Sequence, residues 1–511
     1  MTRRGYRDHR PGDRSRTAKA SSAGPINSPW NNAGRSTSTE QAVLVPRPFQ
    51  NGRQLAYAVL QEYDQSDRFV QDIFAEFDRT HQLSSADRAL AVDVAAGVVR
   101  RSRTLDALIE SRLTRPRHNV EPDLWRVLRL GAWQVVFART PEHAAVDTTV
   151  ELCRDLDRPR WTGFVNGILR SLVRLLSPEP ADAPSPTAVP VAHGLWRSLT
   201  DPVFADPQID RVRYFADAFS LPVFLASRWN ERMTETDLLR TCFQSITPPA
   251  VTLRVNSLRA QTAEVMQSLA AAGIVATEGQ VSGSLHVDQS SQIDSWPGYA
   301  EGHWSVQDEA AMSASLLLAP KPGEQILDLC AAPGGKTTHL AELSADQAVI
   351  TACDVADSRL QRIMDNAARL ELKSIRILAI GKDGNGIPDG PFDAVLVDVP
   401  CSNSGVLNRR PEARWRIDEA SIQELVILQT RLLLLACERV RPGGRVVYST
   451  CSLEPEENRG VVDAVLKHLP EFSLRTDVVH LPGQPADGAY QALLERSPVS
   501  ALIPGSVPIS G

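Results

Sequence analysis

The chain has 511 residues with 55 Lys and Arg against 61 Asp and Glu, so its formal net charge of −6 offers nucleic acid no general attraction. Its length and 42% hydrophobic content place it among globular proteins, with room for two or three domains that each bury a core. No run of about 18 uncharged apolar residues occurs, and the apolar stretch 432–437 lies between Arg431 and Glu438, which argues against a membrane span.

Residues 1–45 are rich in Arg, Ser, Gly, Pro and Asn without apolar periodicity and read as a disordered basic tail. Arg3, Arg4, Arg7, Arg10, Arg14, Arg16 and Lys19 there either touch RNA phosphates without specificity or are simply solvated. Across 46–176 apolar residues recur at helical spacing, in the sets Leu55, Ala58, Val59; Ala91, Val94, Ala95, Val98; and Leu124, Val127, Leu128. This predicts an all-α domain. Ser84 is placed to cap the helix carrying the second set, while Asn166-Gly167 reads locally as a turn. The phrases Asp87-Arg88, Gly97 with Arg100, Leu130-Gly131-Ala132-Trp133-Gln134, His143-Ala144-Ala145-Val146 and Phe164-Val165-Asn166-Gly167-Ile168-Leu169-Arg170 resemble the NusB-type RNA-binding helical module. That resemblance implies that Asn166-Gly167 lies within or beside a helix.

Residues 177–212 are rich in Pro, Ala and Ser and read as a surface linker or insertion. In 213–300, helical spacing over 221–240 precedes a strand at 251–256, a helix at 262–271 and short β segments near Ile274 and Leu285. A small α/β subdomain facing RNA is the expectation.

Residues 301–496 alternate strand and helix as a doubly wound, Rossmann-like α/β sheet requires, with strands at 326–329, 349–353, 375–380, 394–397 and 445–449 and helices at 336–343, 357–370 and 420–440. Residues 497–511 read as a flexible tail. The first of these strands ends in the glycine-rich turn of QILDLCAAPGGKTTHL, 325–340, which opens a helix and forms a ligand cradle. A P-loop needs glycine where Cys330 stands, and G-x-G-x-x-G is absent. Asp354, ending the apolar run 348–353, is spaced to accept hydrogen bonds from a ribose. These residues leave two readings open: S-adenosylmethionine, an adenosine ligand without pyrophosphate, and a generic Rossmann-like turn. Because ligands of such sheets bind beyond the strands' carboxyl ends, Cys330, Ala331, Ala332, Pro333, Gly334, Gly335, Lys336, Asp354, Asp383, Asp398 and Cys451 are expected around one crevice.

The seven cysteines lack paired spacing, which suits a reducing cytoplasm better than disulfides or a zinc site. Cys153, Cys242, Cys353 and Cys437 read as small buried hydrophobes. Cys401, in Asp398-Val399-Pro400-Cys401-Ser402, and Cys451, in Ser449-Thr450-Cys451-Ser452, stand instead at strand ends. A thiolate suits addition to an electron-poor ring. To methylate cytosine C5 it adds to C6, C5 becomes enamine-like and takes the methyl, a base removes the C5 proton and the thiolate leaves. Asp398 is either a structural strand-end residue or the partner of cytosine N3 or its exocyclic amine. Residues 453–458 read as a helix start with Pro455 in its first turn, which would favour a thiolate at Cys451 while the adjacent acids oppose it. The residues alone do not rank the two cysteines. Arg409, Arg410, Arg414, Trp415 and Arg416 form a basic cluster with an aromatic, expected either to contact RNA or to be a solvated helix face.

The stretches LDLCAAPGGKTTHL, ACDVADSRL, VDVPCSNSGVLNRRPEARW and YSTCSLEPEEN resemble successive motifs of the Sun/Nop-type RNA cytosine-5 methyltransferases. With the NusB-like region in front, the chain resembles their RsmB/Sun branch over 50–175 and 215–495. The resemblance implies that S-adenosylmethionine contacts 330–336, Asp354, Asp383 and Asp398, that Cys451 is the nucleophile and that Cys401 assists product release. It also implies 16S rRNA as partner, in an unassembled or partly assembled small subunit; a cytoplasmic monomer without membrane or metal is expected alongside. Val399 before Pro-Cys, Asn403-Ser404, the 177–207 stretch and the closing strand near 487–490 depart from the family pattern. The same chemistry on tRNA or another rRNA site, and a non-catalytic RNA-binding assembly factor, are the alternatives.

Overall fold

The computed structural model describes residues 49–498 apart from 81–82, 289–292, 356, 382–383 and 484–485. The basic tail, Asp383 and nearly all of 497–511 lie outside the described residues.

The N-terminal helices are α1 (Gly52–Gln65), α2 (Val70–Thr80), α3 (Ser85–Glu110), α4 (Pro122–Val136), α5 (Glu142–Asp155) and α6 (Thr162–Leu175). Leu55 and Val59 of α1, Val94 and Val98 of α3, and Leu124 and Leu128 of α4 meet in one core, as their spacing predicts. The Ser84 side chain accepts the Asp87 N–H and caps α3. Gly97 lets α3 press against Trp133, since a Cβ there would lie 2.1 Å from the indole nitrogen. Asn166 and Gly167 lie inside α6, so the local turn reading yields.

The stretch expected as a linker is folded. It forms β1 (Leu176–Ala181), β2 (Ala188–Ala192) and β3 (Leu195–Leu199), an antiparallel sheet of order β1-β3-β2. Proline removes a donor but keeps its carbonyl, and the Pro190 and Val191 carbonyls accept from Arg101 of α3 at 2.7 and 2.9 Å. Trp196 of β3 packs edge-to-face on Phe219 and Phe243. Composition misleads here because these contacts reach across the chain.

Next come α7 (Arg211–Ala218), α8 (Val223–Arg232) and α9 (Glu235–Ile246), whose Tyr214, Phe215, Trp229 and Phe243 extend the N-terminal helical core. The expected strand and helix follow as β4 (Val251–Val255) and α10 (Thr262–Ala271), and with β5 (Ala276–Glu278), β6 (Ser284–Val287) and β7 (Trp304–Val306) they make a small sheet of order β5-β6-β4-β7.

The C-terminal part contains α11 (Glu309–Leu318), β8 (Gln325–Leu329), α12 (Gly335–Leu343), β9 (Val349–Asp354), α13 (Asp357–Arg369), β10 (Ile375–Ala379), β11 (Phe392–Asp398), α14 (Glu419–Arg439), β12 (Val440–Thr450), α15 (Arg459–Leu466), β13 (Phe472–His480) and β14 (Ala489–Arg496). Its sheet runs β10-β9-β8-β11-β12-β14-β13, parallel through β12 and antiparallel at β14 and β13. Alternate residues face opposite sides: Ile326, Ala394 and Leu396 pack with α11, α12 and α13, while Leu327, Val395 and Val397 pack with α14 and α15. By length and composition α14 is apolar and long enough to cross a bilayer, and it buries Ile422, Gln429, Leu433, Ala436 and Cys437 against the fold. Strand order reverses between β8 and β11, so a crevice opens where both strands end. The glycine turn follows β8 and the Cys401 segment follows β11.

Candidate active site

Past β8 the backbone turns through Cys330 at φ 63° and Gly334 at φ 99°, and α12 begins at Gly335. The first N–H groups of α12 have no acceptor within the helix, and the helix dipole adds positive potential, so they suit a carboxylate. At the neighbouring strand end, Asp354 is clamped by the Ala332 and Val355 N–H groups at 3.1 and 2.8 Å, and its carboxylate keeps lone pairs for a ribose. Lys336 donates to Asp398 at 2.7 Å, and that carboxylate holds its ammonium above the ordinary lysine range against the effect of burial. Arg254 of β4 braces the cradle from behind: it donates to the Gly335 carbonyl at 2.8 Å and pairs with Glu342 of α12 at 2.6 Å, both side chains nearly inaccessible.

Beneath the cradle Asp328 is fully buried, accepts the Thr337 hydroxyl at 2.6 Å, and has its carboxyl pushed up to about 7 by burial. An acid with a raised folded pKa stabilises the fold most below its unfolded value and loses that contribution as pH rises through its folded one. Between the ordinary 3.8 and about 7 this loss amounts to roughly 4 kcal/mol at most. Asp328→Asn is therefore expected to flatten the fall in melting temperature between pH 5 and 8, which calorimetry across that range will read.

The two cysteines lie together. Cys401 follows β11, Cys451 follows β12, and their Sγ atoms are 3.0 Å apart with both thiols free. The hydrogen bond to Cys451 and burial push the Cys401 thiol well above its usual range, so it stays protonated. Both loops converge on Glu457, a fully buried carboxylate that accepts the Ser402 N–H at 2.8 Å, the Ser402 and Ser452 hydroxyls, and the Gln429 amide at 2.9 Å. The Gly405 N–H donates to the Cys451 carbonyl at 2.9 Å, an approach only glycine allows because a Cβ would lie 2.4 Å from the Gly488 oxygen. The helix start expected at 453–458 is corrected: α15 begins at Arg459, and Glu454 and Glu457 turn inward as buried acceptors. Glu454 takes Arg228 at 2.7 Å, Arg232 at 2.9 Å and the Trp229 indole at 3.2 Å, tying the Cys451 loop to α8.

The basic cluster divides. Arg414 is fully buried and donates to the carbonyls of Pro411, Arg100, Ser220, Ser245 and Leu407, so the expectation that it meets RNA is corrected: it joins the Cys401 loop to the helical part. Arg409 is half-buried and committed to Asp487 and Asp308. Arg410 and Arg416 stack over Phe69 at 4.9 and 4.8 Å and remain exposed, as does Trp415, whose indole donates to the Val99 carbonyl. Arg414→Met is expected to cost about 2–4 kcal/mol because it strands buried carbonyls. Arg416→Ala is expected to leave stability within about 0.5 kcal/mol. Urea denaturation of both variants distinguishes the two roles.

Sequence reasoning did not single out Glu457, Gln429, Asp328 or Arg254. Glu457 lies in the quoted YSTCSLEPEEN stretch but reads there only as one of the acids at a helix start that oppose a thiolate at Cys451, and Gln429 and Arg254 carry no local signal.

The turn lacks the glycine spacing of a pyrophosphate-binding loop, and an adenosine bearing an amino-acid tail meets both the free N–H groups of α12 and Asp354. Fold and site thus define an S-adenosylmethionine-dependent methyltransferase. Residues 315–498 match the family described as 16S rRNA methyltransferase RsmB/F, 50–174 the NusB family, and 221–294 an RsmF/B-like ferredoxin-like domain. The probable ribosomal RNA small subunit methyltransferase B of Synechocystis sp. is 34% identical over 82% of this chain and 89% of its own. The ribosomal RNA small subunit methyltransferase B of Vibrio cholerae is 32% identical over 81% and 91%. The crystal structure of PH0851 shares the fold, with a TM-score of 0.68 at 24% identity over 87% of this chain and 98% of that one. The chain belongs to the RsmB/F family.

Proposed function

We propose that the protein methylates C5 of a cytosine in 16S rRNA through a covalent bond between Cys451 Sγ and cytosine C6. The observation that carries this reading is the thiol pair 3.0 Å apart at the crevice mouth, one member kept protonated, beside the Lys336–Asp398 pair. A single structural cysteine would not need a second at that distance.

Cys451 gives its proton to solvent and its thiolate adds to C6, and the electrons displaced onto the ring make C5 nucleophilic. The Lys336 ammonium stands beside the negative charge that develops, and the Asp398 carboxylate accepts from the exocyclic amine. S-adenosylmethionine in the cradle supplies the electrophilic methyl. After a base takes the C5 proton, the C6–S bond breaks and the Cys401 thiol protonates the departing Cys451 sulfur. Binding of the cofactor falls to 330–336, Asp354, Asp398 and, in the segment outside the described residues, Asp383.

The names of the similar proteins point to small-subunit rRNA, and the exposed Arg410, Trp415 and Arg416 offer phosphate contacts and a stacking face beside the Cys401 loop. The target base has to be unpaired or flipped for Cys451 to reach C6, which suits an unassembled or partly assembled subunit. Bisulfite mapping of 16S rRNA and tRNA from cells with and without the gene tests activity and substrate together. The expected result is one protected cytosine in 16S rRNA lost with the gene. Loss in tRNA or at another rRNA site would move the substrate, and no change at all would favour an assembly factor.

A further inference from the structure

Two thiols 3.0 Å apart are chemically alike, yet one has to attack and the other to serve as acid. We propose that Asn403 assigns these roles, acting as a further catalytic residue that holds the Cys451 thiol proton in the resting site. The inference rests on the reading of Cys451 as nucleophile.

Asn403 has a left-handed backbone, φ 61° and ψ 23°, which aims its side chain back between the two cysteine loops. Its Nδ2 donates to the Cys401 carbonyl at 2.8 Å, and its Oδ1 lies 3.3 Å from Cys451 Sγ. A carbonyl oxygen only accepts, so the amide has a single orientation that satisfies Cys401, and the oxygen is the atom left for Cys451. That oxygen also only accepts. The Cys451 S–H therefore points at Asn403, and the remaining contact, Cys401 to Cys451, has to be donated by Cys401. The proton chain runs one way, from Cys401 to Cys451 to Asn403.

This direction has two consequences. Cys451 cannot spend its proton on Cys401, so it is the sulfur ready to become a thiolate once a base displaces the Asn403 contact. Cys401, already donating, stabilises that thiolate and returns a proton to the same sulfur at release. Of the other titratable groups near the thiols, Lys336, Asp398, Glu457 and Tyr448, none hydrogen-bonds the Asn403 side chain, which is engaged by Cys401 and Cys451.

The test is alkylation of the full-length protein by iodoacetamide at one fixed pH, with Cys401 and Cys451 followed separately by peptide mass spectrometry. Glycine and aspartate both accept a left-handed backbone, so Asn403→Gly and Asn403→Asp keep that φ, and both lose the bond to the Cys401 carbonyl alike. Asn403→Gly removes the acceptor and is expected to speed Cys451 alkylation at least threefold. Asn403→Asp places a carboxylate where the amide was and is expected to slow it at least threefold by opposing the thiolate. Unchanged rates in both variants, or acceleration in both, would overturn the inference, the second because it marks mere loosening of the loop. Wild-type protein that methylates no cytosine would overturn the proposed function instead, since the alkylation measurement needs no RNA.

Discussion

Cys451→Ala is expected to bind S-adenosylmethionine and RNA with unchanged affinity and to lose methyl transfer by about a thousandfold or more. Cytosine C5 is a poor nucleophile until a thiolate has added at C6, so no partial activity survives loss of the adding group. Cys401 does not substitute although its sulfur is only 3.0 Å from that of Cys451, because it follows a different strand and its thiol is still raised by desolvation once Cys451 is gone. Cofactor affinity is spared because the cradle rests on β8, β9 and α12, braced by Arg254, and shares no hydrogen bond with Cys451. Calorimetric binding alongside a methyl-transfer assay reads both halves. Turnover within tenfold of wild type would remove Cys451 from the role of nucleophile.

Cys401→Ala is expected to give the opposite defect. Attack and methylation proceed, but the proton that neutralises the departing Cys451 sulfur is gone, so the enzyme stays joined to its RNA. General acid assistance is typically worth about 10²- to 10⁴-fold, and release should slow by that order. A species that resists denaturant and runs slower on a gel, sensitive to ribonuclease, should accumulate to the amount of enzyme present. Normal turnover without such a species would end the release assignment. The double variant should form no adduct, which separates this trap from nonspecific crosslinking.

Most of the candidate crevice was legible because its parts are local. Each of Cys330, Asp354, Asp398, Cys401 and Cys451 follows a short apolar run, and in a parallel sheet every such run delivers its next residue to the same edge. The cradle was legible for a similar reason, since its glycines, left-handed turn and helix start are consecutive. Glu457 was not, because whether an acid near a proline faces water or four donors depends on Ser402 and Gln429, which arrive from β11 and α14. Arg414 was misjudged for the same reason. An arginine beside a tryptophan has the composition of an RNA contact, and only the approach of α3, the turn after α7 and α9 turns it into a buried tie.

The stretch 177–212 carries the same lesson at the level of a whole element. Its prolines and alanines lower strand propensity, yet Arg101, Phe219 and Phe243 supply partners that no local window contains. Coupling between domains was equally hidden: Glu454 joins the Cys451 loop to Arg228 and Arg232, more than two hundred residues earlier in the chain.

The sequence by itself determined the class of fold, the methyl-donor cradle and the presence of two strand-end thiols, because strand, turn and helix signals act over a few residues. Tertiary structure alone decided that the thiols meet at 3.0 Å, that Glu457 laces their loops and that Asn403 lies between them. Those facts depend on the direction and reach of hydrogen bonds between segments some fifty residues apart, which a linear pattern does not encode.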